Sequence, residues 1–196
     1  MKFNSRVATL SAAAILALAA PVLAQSAMGH MMAGSANNPM VGGHAMSASK
    51  DIISNALNSD DNKTAVAAIK AAGLVSALQG PGPLTVFAPT DEAFAALPAG
   101  ALDFLLKPEN KATLVKNLSY HVVPGKYDFA ALAEKIRADG GKAELKTVSG
   151  GTLTAEFNGP RNIAIIDAKG FVAHISTYDV YQSNGVIQVI DRVLTP

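Results

Sequence analysis

LTVFAPTDEAFAAL, the stretch from Leu84 to Leu97, predicts a strand, a corner and a helix in immediate succession. Its first four residues are apolar, β-branched or aromatic, which is typical of a buried strand. Pro89 has no N–H group to donate to a sheet, so we expect the strand to stop there. Thr90 can cap the helix that follows, and Asp91 and Glu92 lie in its first turn, where the helix dipole favours negative charge. The stretch therefore predicts the joint between a sheet and a helical layer, and nothing in it indicates catalysis.

The apolar residues on either side of this stretch follow two different periods. Up to residue 139 they recur at helical spacing, and in the first helix Ile52, Ile53 and Leu57 are expected to point inward. The predicted helices cover residues 51–57, 74–79, 101–106, 109–121 and 129–139, and a further helix is capped by residues 59–61, carries Val66, Ile69 and Ala72, and stops at Gly73. From residue 143 the period is two, and the predicted strands cover residues 144–148, 152–157, 163–167, 171–176 and 186–194. Helices in the first half and hairpins in the second predict an α+β fold, with a largely antiparallel sheet and helices on one side.

Residues 1–24 have the features of a secretory signal peptide. Lys2 and Arg6 give a positive start, an alanine-rich apolar run follows, and Val22-Leu23-Ala24 resembles a cleavage site. The alternative is an uncleaved membrane anchor, but the run is marginal for a span of about 20 residues. We therefore expect cleavage, a secreted or periplasmic protein, and no stable membrane anchor afterwards.

Composition argues against several classes of function. The chain has 196 residues, a formal net charge of +1 and no cysteine. Removing residues 1–24 removes two bases and no acid, so the formal charge becomes −1. A near-neutral chain without a basic patch argues against nucleic acid as a partner. The lack of cysteine excludes disulfides, thiolate catalysis and zinc–sulfur sites.

Residues 25–46 are rich in glycine, serine, alanine, methionine and histidine, and no apolar period runs through them. This composition predicts a flexible linker. A second interpretation is a copper-binding tract, because thioether and imidazole groups suit Cu(I). The densest part of the tract is His30, Met31 and Met32, although their spacing fits no specific metal site. The folded domain is then expected over residues 47–196.

The last segment, NGVIQVIDRVLTP from Asn184 to Pro196, forms a pair with the stretch that begins at Leu84. Together they resemble the two signature blocks of the fasciclin-type domain, and Tyr120-His121 in SYHVVPG resembles that family's tyrosine–histidine block. The resemblance covers about residues 47–196. It implies a wedge-like β-sandwich of about seven strands with several helices packed along it, in which we expect the strands of the two blocks to lie together. It also implies an extracellular or periplasmic interaction module with no catalytic centre and no cofactor.

The same resemblance supplies the candidate binding residues. In animal relatives the tyrosine–histidine block and short Asp-Ile pairs are implicated in integrin binding, and the matching positions here are Tyr120, His121, Asp179 and Val180. The alternative for His121 is a core histidine bonded to a backbone carbonyl, and for Asp179 a carboxylate at a turn or strand end. The chain departs from the family at Gln188, where histidine is usual; an amide keeps hydrogen bonds but does not titrate.

Three functional hypotheses follow from these features. The leading one is a secreted, non-catalytic module for cell adhesion or matrix binding, expected as a monomer, whose partner is a cell-surface or matrix protein or a polysaccharide. The second is a periplasmic copper-handling protein that uses the methionine- and histidine-rich tract. The third, a hydrolase that uses His121 or His174, is disfavoured because no nucleophile lies at a suitable spacing. Strand alternation places His174 on the face opposite Ala173 and Ile175, towards solvent.

Overall fold

A sheet of seven strands organises the protein in a computed structural model that describes residues 38–196. The helices are α1 (Ile52–Ala56), α2 (Lys63–Ala72), α3 (Val75–Gln79), α4 (Asp91–Ala95), α5 (Ala101–Leu106), α6 (Lys111–Tyr120) and α7 (Phe129–Ala138), with a 3₁₀ turn at Pro108–Asn110. The strands are β1 (Met40–Val41), β2 (His44–Ala45), β3 (Leu84–Pro89), β4 (Val122–Pro124), β5 (Lys142–Lys146), β6 (Thr152–Phe157), β7 (Ile163–Ile166), β8 (Val172–Gln182) and β9 (Gly185–Ile190).

The large sheet has the order β4-β3-β9-β8-β7-β6-β5. Strands β3 and β9 are parallel, from Leu84 opposite Gly185 to Pro89 opposite Ile190, and the other neighbouring pairs are antiparallel. The edges approach each other just beyond β5, where the Val148 N–H donates to the β4 carbonyl of Val122 at 2.8 Å, so the sheet curls nearly into a barrel. The predicted α+β fold of about seven strands with helices is confirmed, and the strands of the two signature blocks are neighbours.

The stretch that begins at Leu84 has the predicted structure. Phe87 of β3 is fully buried, and the Thr90 hydroxyl accepts a hydrogen bond of 3.2 Å from the Ala93 N–H at the start of α4. Phe94 packs inward from this short helix with 8% of its surface exposed. The sequence signals here are local, a strand pattern, a proline and a cap, which is why the segment could be predicted from its own residues.

Two apolar clusters fill the interior. The larger lies between α7 and the strands of the C-terminal half, and its fully buried side chains include Leu132, Ile136, Leu145, Leu153, Ile163, Ile165 and Ile190. The smaller joins α1 and α3 to the centre of the sheet and includes Ile52, Ile53, Leu78, Val86 and Ile187. Within residues 38–196, no helix combines the length and apolar character required to cross a membrane.

The folded part begins earlier than residue 47. Strands β1 and β2 form a small hairpin, and Val41 and Met46 are buried in the smaller cluster at 6% and 4% exposure. The Asn38 side chain bonds both backbone groups of Tyr181, accepting from its N–H at 2.9 Å and donating to its carbonyl at 2.8 Å. Residues 38–46 therefore do not behave as the predicted linker, because partners distant in sequence hold them. The predicted signal peptide at 1–24 and the predicted linker up to residue 37 lie outside the described residues.

Other differences concern the ends of elements. Leu57 is 51% exposed, contrary to the prediction: at about 100° per residue it lies about 140° around the helix from Ile52, at the margin of the buried face. Strand β8 continues to Gln182, well past the predicted end at residue 176. A β-bulge between Thr177 and Val180 breaks the alternation there and hides the continuation of the strand.

Candidate functional site

Tyr120, the first residue of the tyrosine–histidine block, is fully buried at the end of α6. Its hydroxyl donates to the Thr152 carbonyl at 2.7 Å and accepts from the Ala168 N–H at 2.9 Å. Burial raises the pKa of this phenol. The ring also lies against Gly151, where a Cβ atom would approach its Cε2 to 2.5 Å. Tyr120 thus fixes the end of α6 to β6 and to the β7–β8 turn.

His121 is buried with 5% of its surface exposed, and both ring nitrogens are engaged. The Nδ1–H donates to the Asn117 carbonyl at 2.8 Å, and Nε2 accepts from the Leu194 N–H at 2.9 Å. Because a backbone N–H donates only, Nε2 carries no proton and the ring is neutral. Burial lowers the pKa of His121 from 6.5 to about 4, outweighing the opposing influence of the Asn117 carbonyl and the Asp167 carboxylate. The histidine therefore joins α6 to the C-terminal segment.

Asp179 and Gln188 form a second internal network, at the bulge of β8. Asp179 has φ +57°, a left-handed conformation that aspartate tolerates better than most residues. Its N–H donates to the Gln188 Oε1 at 3.0 Å, and its Oδ1 accepts from the Gln188 Nε2 at 2.9 Å and from the Phe129 N–H at 2.7 Å. Gln188 Nε2 also donates to the Tyr127 carbonyl at 3.0 Å. The network fixes the first turn of α7, where the helix dipole favours a carboxylate, against the sheet.

The four residues matched to the family's binding positions therefore lie in two separate networks inside the domain. Val180, the fourth of them, is 1% exposed and belongs to the smaller apolar cluster. Their contacts give them a role in holding the fold: Tyr120, His121 and Val180 are buried, and Asp179 is half-buried. Direct contact of these residues with a partner stays a prediction.

Gln188→Leu is expected to lower the free energy of unfolding by about 2 kcal/mol, because the Asp179 N–H and the Tyr127 carbonyl lose buried partners. Gln188→His restores the residue that is usual in the family and keeps one donor and one acceptor, so we expect a smaller loss. Urea unfolding at pH 7 measures both. The control is Gln79→Leu on the exposed end of α3, which should change the free energy by no more than about 0.5 kcal/mol. Equal stability of Gln188→Leu and the parent protein would contradict this role.

The copper alternative rests mainly on His30, Met31 and Met32, which lie outside the described residues. Three methionine or histidine members of the tract are described: Met46 is a core residue, the His44 Nε2 lies 3.0 Å from Asp60 Oδ2, and Met40 is 63% exposed. Within residues 38–196, no group of three or more histidine and carboxylate side chains is arranged to hold a metal ion. The described part of the tract thus contains no assembled metal cluster of histidine and carboxylate side chains.

An open groove of about 530 Å³ lies between α4 with its following turn, the β7–β8 turn and the segment after β9. Phe171 is 45% exposed in this groove, and the Arg192 guanidinium lies over its ring, 4.4 Å from the centroid. His174 faces solvent as predicted and forms a pair with Asp191, with 3.1 Å between Nδ1 and Oδ2. We call this surface the Phe171 groove. It combines an aromatic face with charged groups of both signs.

The His174–Asp191 pair resembles part of a catalytic triad, in which a carboxylate orients a histidine. The hydroxyl in the same groove belongs to Thr195, and it donates to Asp167 Oδ2 at 2.8 Å and not to the histidine. Among the described residues, no hydroxyl is hydrogen-bonded to the His174 ring. The geometry is therefore that of an exposed, hydrogen-bonded histidine–carboxylate pair without a nucleophile beside it.

The sequence prediction included His174 and missed Phe171, Arg192 and Asp191. These residues come from the start of β8 and from the segment after β9, and the antiparallel pairing of these two strands, with Ile175 opposite Ile190, brings them to one surface. The sequence contained only a weak indication of this surface. Phe171 is the first residue of a predicted strand, directly after a Lys-Gly turn, and an aromatic side chain at such a position has few neighbouring strand residues to cover it. Asp167 was also missed; its carboxylate accepts from the N–H groups of Lys169, Phe171 and Thr195 and so shapes the groove.

Comparison with known proteins gives a consistent result. The model of the fasciclin domain matches residues 60–196. Protein sll1483 of Synechocystis is 39% identical over 196 residues, which cover the whole of this chain and 99% of that protein. The cell surface glycolipoprotein MPB83 of Mycobacterium bovis is 34% identical over 160 residues, or 82% of this chain and 57% of that protein.

Among solved structures, the FAS1 domain pair of the insect cell adhesion molecule Fasciclin I has the same fold. The TM-score is 0.67 at 18% identity, over 75% of this chain and 51% of that one. These three comparisons agree with one another. They also agree with the structure, in which the strands of the two signature blocks, β3 and β9, lie side by side. This chain therefore belongs to the fasciclin domain family.

Proposed function

We propose that this protein is a non-catalytic interaction module, exported to the periplasm or the cell exterior, that binds a cell-surface or matrix protein through the Phe171 groove. The observation that carries the proposal is the exposed Phe171 ring with the Arg192 guanidinium above it. Aromatic residues and arginine are the side chains most enriched at the energetically important positions of protein interfaces. Such a pair on an open surface is suited to anchor a partner.

The charges of the groove define the partner more closely. Lys169 and Arg192 line it together with the single carboxylate of Asp191, so cations outnumber anions. An apolar segment that carries an acidic side chain would complement this surface. A neutral polysaccharide would use the aromatic ring and leave the cations unpaired, which makes a protein the better match.

Export is supported by the sequence of residues 1–24, and adhesion by the relatives. The names of two matched proteins refer to the cell surface and to cell adhesion. We also propose that the protein acts as a monomer, because a dimer formed through the Phe171 groove would hide the surface that binds the partner.

The proposal is tested with the purified protein immobilised as bait for envelope or matrix extracts, followed by identification of the captured protein and measurement of its Kd. Phe171→Ala and Arg192→Ala are each expected to weaken binding at least about 10-fold. The matched control is Phe104→Ala, since Phe104 is an exposed aromatic residue, at 56%, on α5 outside the groove. Sedimentation should give a monomer.

Equal affinities of the Phe171→Ala and Phe104→Ala variants would overturn the use of this groove. Capture of polysaccharide in place of protein would overturn the choice of partner. A dimer that buries the Phe171 groove would overturn the proposed monomer.

A further inference from the structure

A second cavity lies on the other side of α4, enclosed by α2, α3, α6 and the first strand of the signature pair, β3. Its volume is about 210 Å³. The inner wall is formed by Val86, Phe87 and Phe94, which are buried, and by the helical residues Ile69 and Leu118. Ala77 and Val148 are exposed and mark its mouth. We call this space the β3 cavity.

The lining of the β3 cavity is almost entirely hydrocarbon. Of its 16 lining residues, the polar ones are Ser119 and His121, and none is an acid, a lysine or an arginine. Both nitrogens of the His121 ring already have backbone partners, as described above. The ring therefore has no free donor or acceptor for a bound molecule, and only the Ser119 hydroxyl remains.

The β3 cavity is open at its mouth, and behind the mouth it leaves an apolar space that no side chain fills. Interiors are packed as densely as organic crystals, with few voids larger than a water molecule. Water does not occupy such a space well, because each buried water needs several polar partners. An engineered apolar cavity of about 150 Å³ stays dry and binds benzene. The β3 cavity is larger and has a comparable lining.

We propose that the β3 cavity binds a small neutral hydrocarbon group somewhat larger than benzene. The volume sets the size of the ligand, and the lack of charged lining residues sets its chemistry. The exposed mouth between Ala77 and Val148 provides the entry. This site is separate from the Phe171 groove, which is formed by the opposite side of α4 and the segments after β7 and β9. A negative result at one site therefore leaves the proposal for the other site intact.

The test titrates the purified protein, labelled in its methyl groups, with naphthalene. We expect saturable chemical-shift changes at the methyl groups of Ile69, Val86 and Leu118, and ligand-to-protein NOEs to the same groups. Naphthalene-2-sulfonate, which has the same rings and a permanent charge, is expected to leave those methyl groups unchanged, because the cavity offers no partner for the sulfonate.

Variants identify the site. Ala65→Leu fills the cavity from α2, and Ala77→Leu fills it from the mouth, with less risk to folding because Ala77 is exposed. Each is expected to weaken naphthalene binding at least about 10-fold, which corresponds to at least about 1.4 kcal/mol. Ala71→Leu is the control, since Ala71 is exposed on α2 outside the lining.

Three results would overturn the proposal. The first is that the three methyl signals do not shift up to the solubility limit of naphthalene. This result would count against the proposal even if its cause were a closed cavity or a cavity filled by another part of the chain. The second is binding by both filled variants with the affinity of the Ala71→Leu control. The third is equal binding of the sulfonate, which would mean that the rings stack on the surface.

Discussion

Lowering the pH from 7 to 4 is expected to remove about 3 kcal/mol from the free energy of unfolding, chiefly through His121. The pKa of this histidine is about 4 in the folded protein, against 6.5 without the fold, because the ring is buried and neutral. Between these values the unfolded chain binds a proton that the folded protein does not. Stability is therefore complete above about pH 6.5 and falls as the pH approaches 4.

Urea unfolding at half-unit pH steps measures this loss. His121→Gln is the informative variant. It should be less stable than the parent at pH 7, because an amide does not reproduce both hydrogen bonds of the ring. Between pH 6.5 and 4 its free energy of unfolding should change much less than that of the parent. Gln79→Leu, on the exposed end of α3, changes no ionisable group; it is the control and should keep the pH dependence of the parent. A parent protein whose stability is flat over this range would contradict the buried neutral imidazole.

Gly185→Ala is expected to destabilise the protein by about 3 kcal/mol or more, close to the upper end for overpacking. In the parallel pair of β3 and β9, Gly185 lies opposite Leu84, and a Cβ atom at this position would overlap the Leu84 carbonyl oxygen. That oxygen belongs to the backbone of the central strand, so no rotation of a side chain can relieve the overlap. The two strands must separate or shift, and this weakens the centre of the sheet.

The matched control for this variant is Ser183→Ala, two residues earlier and exposed, whose backbone N–H keeps its bond to the Lys50 carbonyl. It should change the free energy of unfolding by no more than about 0.5 kcal/mol. Thermal unfolding followed by circular dichroism compares the two variants. If Gly185→Ala unfolds at the temperature of the control, β3 and β9 are not as closely paired as the structure has them.

The parts of the fold that sequence could predict are those with local causes. The strand, cap and short helix from Leu84 onward depend on neighbours within a few residues, and so do the caps of α1 and α7, where Asp51 and Asp128 accept from the N–H three residues later. The N-terminal hairpin depends on Asn38 reaching Tyr181, and the bulge of β8 on Asp179 meeting Gln188. Neither contact leaves a periodic trace in the sequence.

The candidate functional residues also fall into those that the sequence could predict and those that it could not. Helical spacing placed His121 on the apolar face of α6, and its bond to the Asn117 carbonyl is the kind of contact expected of a core histidine. The Phe171 groove could not be predicted, because its aromatic ring and its arginine come from segments about 20 residues apart that only the sheet order brings together. The family resemblance identified the residues that hold the fold and gave no indication of this exposed surface.

The most direct test of the central claim, that the signature residues support the fold while the groove binds, compares two folded variants against the captured partner. His121→Gln should bind with the Kd of the parent at pH 7, and Phe171→Ala should bind at least about 10-fold more weakly at undiminished stability. The reverse result, weaker binding by folded His121→Gln and unchanged binding by Phe171→Ala, would contradict it.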